Sequence, residues 1–139
     1  MITFTADSIE MPHINTALIK RWLKTVAAGY SKKAGDINYI FCSDDKILEI
    51  NLQFLKHNYY TDIITFDYSC AGTINGDIFI SVDTVASNAQ ERSINFTDEL
   101  HRVIVHGVLH LTGQNDKQPD DRAEMTRKEN LALDTLKNM

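Results

Sequence analysis

TDIITFDYSCAGTINGDIFISV, residues 61–82, holds two runs that favour an extended backbone. TDIITFDY and GDIFISV are rich in β-branched and aromatic side chains, which pack well on a pleated, half-buried surface. SCAGTIN between them is turn-prone and of hairpin type, so the stretch predicts two strands as antiparallel neighbours.

Working outward, ITFT near the N-terminus reads as a short strand, and INTALIKRWLKTVAAGY carries Ile14, Leu18, Trp22 and Val26 as one apolar helical stripe. DINYIFCS sets Ile37, Tyr39 and Phe41 in alternation with Asn38 and Ile40, a strand period. Ser43 then stands ready to cap DDKILEINLQFLK, which has acids in its first turn. Beyond the hairpin, SVDTVASNAQERS is helical. TDELHRVIVHGVLHLTG is a stronger helix, opened by Thr97 with Asp98 and Glu99 and closed by Gly113. Pro119 suits the first position of a last helix, with Asp120, Asp121 and Glu124 near its positive end and Lys137 near its negative end. The expected fold is α+β: one domain with a four-stranded mixed sheet packed by about five helices.

The chain has 139 residues, 43% of them hydrophobic, enough to build a core in one compact unit. It has no repeat and no Gly/Ser/Pro-rich linker. No apolar run approaches a membrane span, and the first residues lack the basic-then-apolar layout of a secretory signal. A soluble, cytoplasmic protein is expected. Cys42 and Cys70 lack metal or redox spacing and read as free thiols. The net charge of -5 argues against coating nucleic acid through bulk charge. Locally, Met11 to Gly35 contains no acid but holds Lys20, Arg21, Lys24, Lys32 and Lys33, either an ordinary solvated face or a phosphate-facing patch.

The chemistry sits in HGVLHLTGQND, residues 106–116. On a helix, His106 and His110 are offset by only about 40° and one turn of rise, so both imidazoles face the same way. Gly113 can take the left-handed conformation that ends the helix and turns the chain back, bringing Asp116 to the same point. Two nitrogens and one oxygen suit zinc, with a fourth position left for water. The metal site is thus expected at the C-terminal end of a long helix. The spacing is close to that of the metzincin peptidases, whose second motif position is a glutamate acting as general base; here that position is Gly107, which argues against that mechanism. A glycine inside a helix costs about 1 kcal/mol relative to alanine, so either another backbone packs against Gly107 or its missing side chain leaves room beside the metal.

HGVLHLTGQND resembles the signature H-G-x-L-H-L-x-G-x-x-H of the YbeY family of bacterial rRNA maturation factors, matching at His106, Gly107, Leu109, His110, Leu111 and Gly113. TDIITF is similar to that family's T-D-V-L-S-F strand, INGDIFIS to its L-G-D-I-x-I-S strand, and Asn51 falls where a helix asparagine is expected. The resemblance covers most of the chain from about residue 45 onward. Two departures stand out. Asp116 replaces the third histidine, giving a harder, anionic ligand that still suits zinc. Leu55 replaces an arginine suited to gripping phosphate, leaving Lys56 and His57 either as substitute phosphate contacts or as exposed loop residues.

The resemblance implies a YbeY-like metallo-endoribonuclease domain over residues 1–139, carrying one zinc ion on His106, His110 and Asp116. It also implies cleavage of single-stranded RNA in maturation of the 3′ end of small-subunit ribosomal RNA and in ribosome quality control. RNA and the ribosome or its proteins are the expected partners, with no DNA or membrane. No residue declares itself as the general base; Asp62 and Asp77 lie in the family-like strands, where aspartates often serve backbone donors. Two other functions fit the same residues: a ribosome-assembly or RNA-binding protein with a structural metal, and a metal-dependent hydrolase of peptides or small molecules.

Overall fold

The computed structural model of the chain describes residues 1–55 and 61–139; Lys56 and His57 lie outside them. The elements are β1 (Ile2–Ala6), α1 (Thr16–Gly29), β2 (Lys33–Cys42), α2 (Asp44–Ile50), a π-helical turn (Asn51–Leu55), β3 (Ile63–Asp67), β4 (Thr73–Ser81), α3 (Val82–Arg92), α4 (Phe96–Leu111) and α5 (Pro119–Lys137). The four-stranded sheet runs β1-β2-β4-β3. β1, β2 and β4 are parallel, and β3 lies antiparallel to β4 at the edge, with Thr65 opposite Ile78. The mixed α/β architecture is the expected one.

The hairpin closes through Ala71 at φ 52° and Gly72 at φ 83°, with Cys70 and Thr73 exchanging both backbone hydrogen bonds at 3.0 Å. Two central residues with positive φ match the right-handed twist of the flanking strands. Strand alternation then divides the sheet into two faces. Ile37, Tyr39, Phe41, Ile74, Ile78 and Ile80 are buried with Trp22 and Leu23 of α1 and with Leu100, Ile104 and Val108 of α4. A smaller cluster of Cys42, Ile47, Ile50 and Ile64, joined by Phe66 and Phe79, lies under α2. Two buried polar tips fix the layers: Tyr39 Oη donates to Ile104 O and Trp22 Nε1 to Ala132 O, each at 2.7 Å.

Some expectations shift. The buried stripe of α1 is Ile19, Trp22, Leu23, Val26 and Ala27. Strict four-residue spacing drifts off one face by about 40° a step, so Leu18 falls to the margin, while Ile14 precedes the cap residue Asn15. The cap of α4 is Asn95, whose amide oxygen accepts from Asp98 N at 2.8 Å, so Thr97 lies inside the first turn. A Cβ on Gly107 would meet Ile78 Cδ1 at 2.9 Å and Ile63 Cδ1 at 3.3 Å. That glycine therefore seats α4 against sheet side chains, rather than against another backbone or beside the cluster. Cys42 is buried and Cys70 exposed, both free thiols.

Candidate metal centre

α4 buries Val105, Val108 and Leu109 toward the core, and this fixes its roll and leaves His106 and His110 half-buried on the neighbouring face. Their rings lie 4.6 Å apart at 80°. Gly113, at φ 106°, then reverses the chain: its N–H donates to His110 O at 2.9 Å, and Gln114 N–H donates to Leu109 O at 3.1 Å. Both bonds go to carbonyls of the last helical turn, which have no partner further along the helix. Gln114 Nε2 donates to Asn115 O at 2.9 Å and to Asp121 O at 3.3 Å, and Arg122 Nη1 to Lys117 O at 2.9 Å, so α5 holds the returning loop in place.

That loop delivers Asp116. Its Oδ2 lies 3.3 Å from His106 Nε2 and 3.2 Å from His110 Nε2. Donor atoms of all three residues lie within 4.8 Å of one another, and they are the one such group of His, Cys or acid donors among the described residues. A tetrahedral ion with bonds of about 2.0–2.1 Å has neighbouring ligands about 3.3 Å apart, so these spacings and this donor set fit zinc.

The sequence pattern that defines the Endoribonuclease YbeY family matches residues 1–137. The chain belongs to the YbeY family. An endoribonuclease YbeY of Parabacteroides distasonis is 53% identical over 135 residues, covering 97% of this chain and 95% of the relative. Another from Phocaeicola vulgatus is 55% identical over 133 residues, covering 96% of each. The solution structure of a Thermotoga maritima protein is similar with a TM-score of 0.66 and 27% identity, covering 98% of this chain and 89% of that one.

In this YbeY family member the cluster stands in the wall of an open cleft of about 730 Å³ between edge strand β3 and the loop after α4. Asn51, Thr61, Asp62, Asn115 and Lys117 are among its lining residues. A smaller pocket of about 190 Å³ adjoins it along α4 and α5, and the two share Asp62, His106 and Asp116. Asp62 is thus at the site. Asp77 is not: neighbouring Ile78 faces α4, so Asp77 points to the opposite face, where it accepts from Asn38 Nδ2 at 3.0 Å.

Behind the donors lies a buried ionic chain that the sequence reading missed. His106 Nδ1–H donates to Glu129 Oε2 at 2.6 Å, and Arg102 Nη1 donates to Glu129 Oε1 at 3.1 Å. Glu99 Oε1 lies 3.6 Å from Arg102 Nε and 3.7 Å from Arg92 Nε. The available signal was a pair of acids on apolar helix stripes: Glu129 between Met125 and Ala132, and Glu99 beside Leu100 and Val103.

The electrostatics single out one position for positive charge. Burial alone would depress His106, but the Glu129 hydrogen bond and the charges of Glu129, Asp62 and Asp116 outweigh it and raise its pKa. Burial and the neighbouring His106 lower His110. Asp62 is raised by burial, against the pull of His106. A cation held among these carboxylates is favoured, and a divalent ion answers the same field.

Proposed function

We propose that this chain is a zinc-dependent endoribonuclease, one YbeY-like domain over residues 1–139. Its substrate is single-stranded RNA at the 3′ end of small-subunit ribosomal RNA, and it acts on or beside the ribosome in the cytoplasm, with ribosome quality control as part of the same role. Family membership supports the RNA-cutting chemistry. The observation that carries the site is the convergence of His106, His110 and Asp116 within 4.8 Å in the wall of the cleft, with both imidazole Nε2 atoms at tetrahedral spacing from Asp116 Oδ2. No helix among the described residues is long and apolar enough to cross a membrane.

His106, His110 and Asp116 would hold the ion. When bound, it supplies the Lewis acidity that polarises a phosphoryl oxygen and acidifies water. The chain's own groups do the positioning. β3 and the loop bearing Asn115 to Lys117 form the two sides of a channel for an extended strand, and Asp62 stands in it beside His106 as an acceptor for a water proton. With a net charge of -5, phosphate attraction must be local. Lys117 lines the cleft, and Arg92 and Arg122 line the adjoining pocket. Lys56 and His57, the remaining proposed phosphate contacts, fall between the cleft residues Asn51 and Thr61 in sequence.

The test is elemental analysis of purified wild type and Asp116→Ala, paired with cleavage of a single-stranded ribosomal RNA fragment. Zinc near one per chain with cleavage, both lost in the variant, is expected. Zinc bound without any wild-type cleavage would overturn the catalytic reading in favour of a structural metal in ribosome assembly.

A further inference from the structure

We propose that Glu129 is the positioning residue of the metal centre: it sets the tautomer and ring angle of His106 and so aims the Nε2 lone pair at the ion. This inference rests on His106 being a metal ligand. A neutral imidazole carries one N–H and one lone pair, and the nitrogen that meets a metal must carry the lone pair. An ionised carboxylate only accepts. At 2.6 Å from Nδ1, Glu129 Oε2 therefore selects the Nδ1–H form and leaves Nε2 free on the side of Asp116.

Glu129 is itself fixed. It is 7% exposed, and its second oxygen takes Arg102 Nη1 at 3.1 Å, which also donates to Asn130 Oδ1 at 3.2 Å. On its far side Arg102 faces Glu99, 1% exposed. The chain Glu99, Arg102, Glu129, His106 thus crosses from α4 to α5 and back. α4 supplies the ligand, and α5 decides which of its nitrogens is available.

Glu129→Gln separates this role from mere packing, because the amide has nearly the same shape. Arg102 needs an acceptor, so the amide oxygen turns toward it and the NH₂ faces His106 Nδ1. That nitrogen must then accept, and the proton moves to Nε2, where it blocks the ligand position. Outer carboxylates of this kind are worth about 10–100-fold in metal affinity. The experiment measures zinc affinity by competition with a chromophoric chelator for wild type, Glu129→Gln, Glu129→Asp and His106→Ala. The ring tautomer of His106 is read by ¹⁵N NMR on zinc-free protein with the imidazole neutral.

The expected results are a loss of zinc affinity of about 10–100-fold in Glu129→Gln and a His106 signature switched from Nδ1–H to Nε2–H. Glu129→Asp keeps Arg102's charge partner while withdrawing the acceptor by one methylene, and it should also weaken zinc; it serves as the test if the glutamine variant does not fold. Zinc affinity within twofold of wild type, or a retained Nδ1–H tautomer in Glu129→Gln, overturns the inference. If His106→Ala binds zinc as wild type does, the ligand reading beneath it fails instead.

Discussion

Replacing Arg102 with Met tests whether the ionic chain behind the metal centre holds the fold as well as the site. Methionine keeps most of the apolar stem and removes the guanidinium. Arg102 is 19% exposed at its side chain, with Glu129 at 3.1 Å and Glu99 at 3.6 Å. Among the described residues, Glu99, 1% exposed overall, would keep only the ion pair with Arg92, at 3.7 Å and half-exposed. Removing one partner of a buried pair costs about 3–5 kcal/mol, and the residual attraction of Arg92 places this case near 3 kcal/mol. With a urea slope of about 2 kcal/mol/M, the midpoint of zinc-free protein at pH 7 should fall by about 1.5 M. The loss should depend on pH in a definite sense. Burial raises the Glu99 carboxyl, while Arg92 and Arg102 pull it down. An acid whose folded pKa lies above its unfolded value, about 4.3, stabilises the fold as pH drops through the folded value. Without Arg102 the elevation grows, so the deficit should shrink between about pH 7 and pH 5, and adding Glu99→Gln should recover part of it at pH 7. A loss under about 1 kcal/mol that is the same at both pH values would refute this reasoning and show the groups to be solvated like a surface pair.

Two further outcomes follow from the same geometry. Gly113→Ala meets nothing within 4 Å, so its cost is backbone alone, at φ 106°; about 1–2 kcal/mol should be lost in thermal melts, together with zinc affinity, and unchanged affinity would show that this turn does not place Asp116. In zinc-free protein, His106 has a raised pKa, so its stabilising contribution is complete below the unfolded value of about 6.5 and disappears as pH rises through the folded value. Urea midpoints under chelator should therefore fall across that window in wild type, and His106→Ala should remove that component of the slope.

The clustering of His106, His110 and Asp116 was legible because each depends on neighbours close in sequence. A helix period places His106 over His110, and one glycine with positive φ returns the chain to Asp116. The sheet was legible for the same reason, since alternation names the buried face of β2, and β-branched and aromatic side chains mark β3 and β4, without reference to partners. The helix starts were less so: Asn95 and Thr97 are both competent caps, and only the hydrogen bond to Asp98 decides between them. Glu129 was not legible because its meaning depends on where α5 docks, and that is tertiary. α5 carries a sparse apolar stripe, with Met125 and Ala132 buried, and its docking draws on polar contacts that include Trp22 to the Ala132 carbonyl and Glu129 to His106 and Arg102. One of these contacts is also the far side of a proposed metal ligand, so on that proposal docking of α5 and loading of the metal share a term in their free energies. An ion that favours His106 with its Nδ1–H fixed must favour the docked helix by the same amount. The centre is therefore assembled by local geometry on one side and by the packing of α5 on the other.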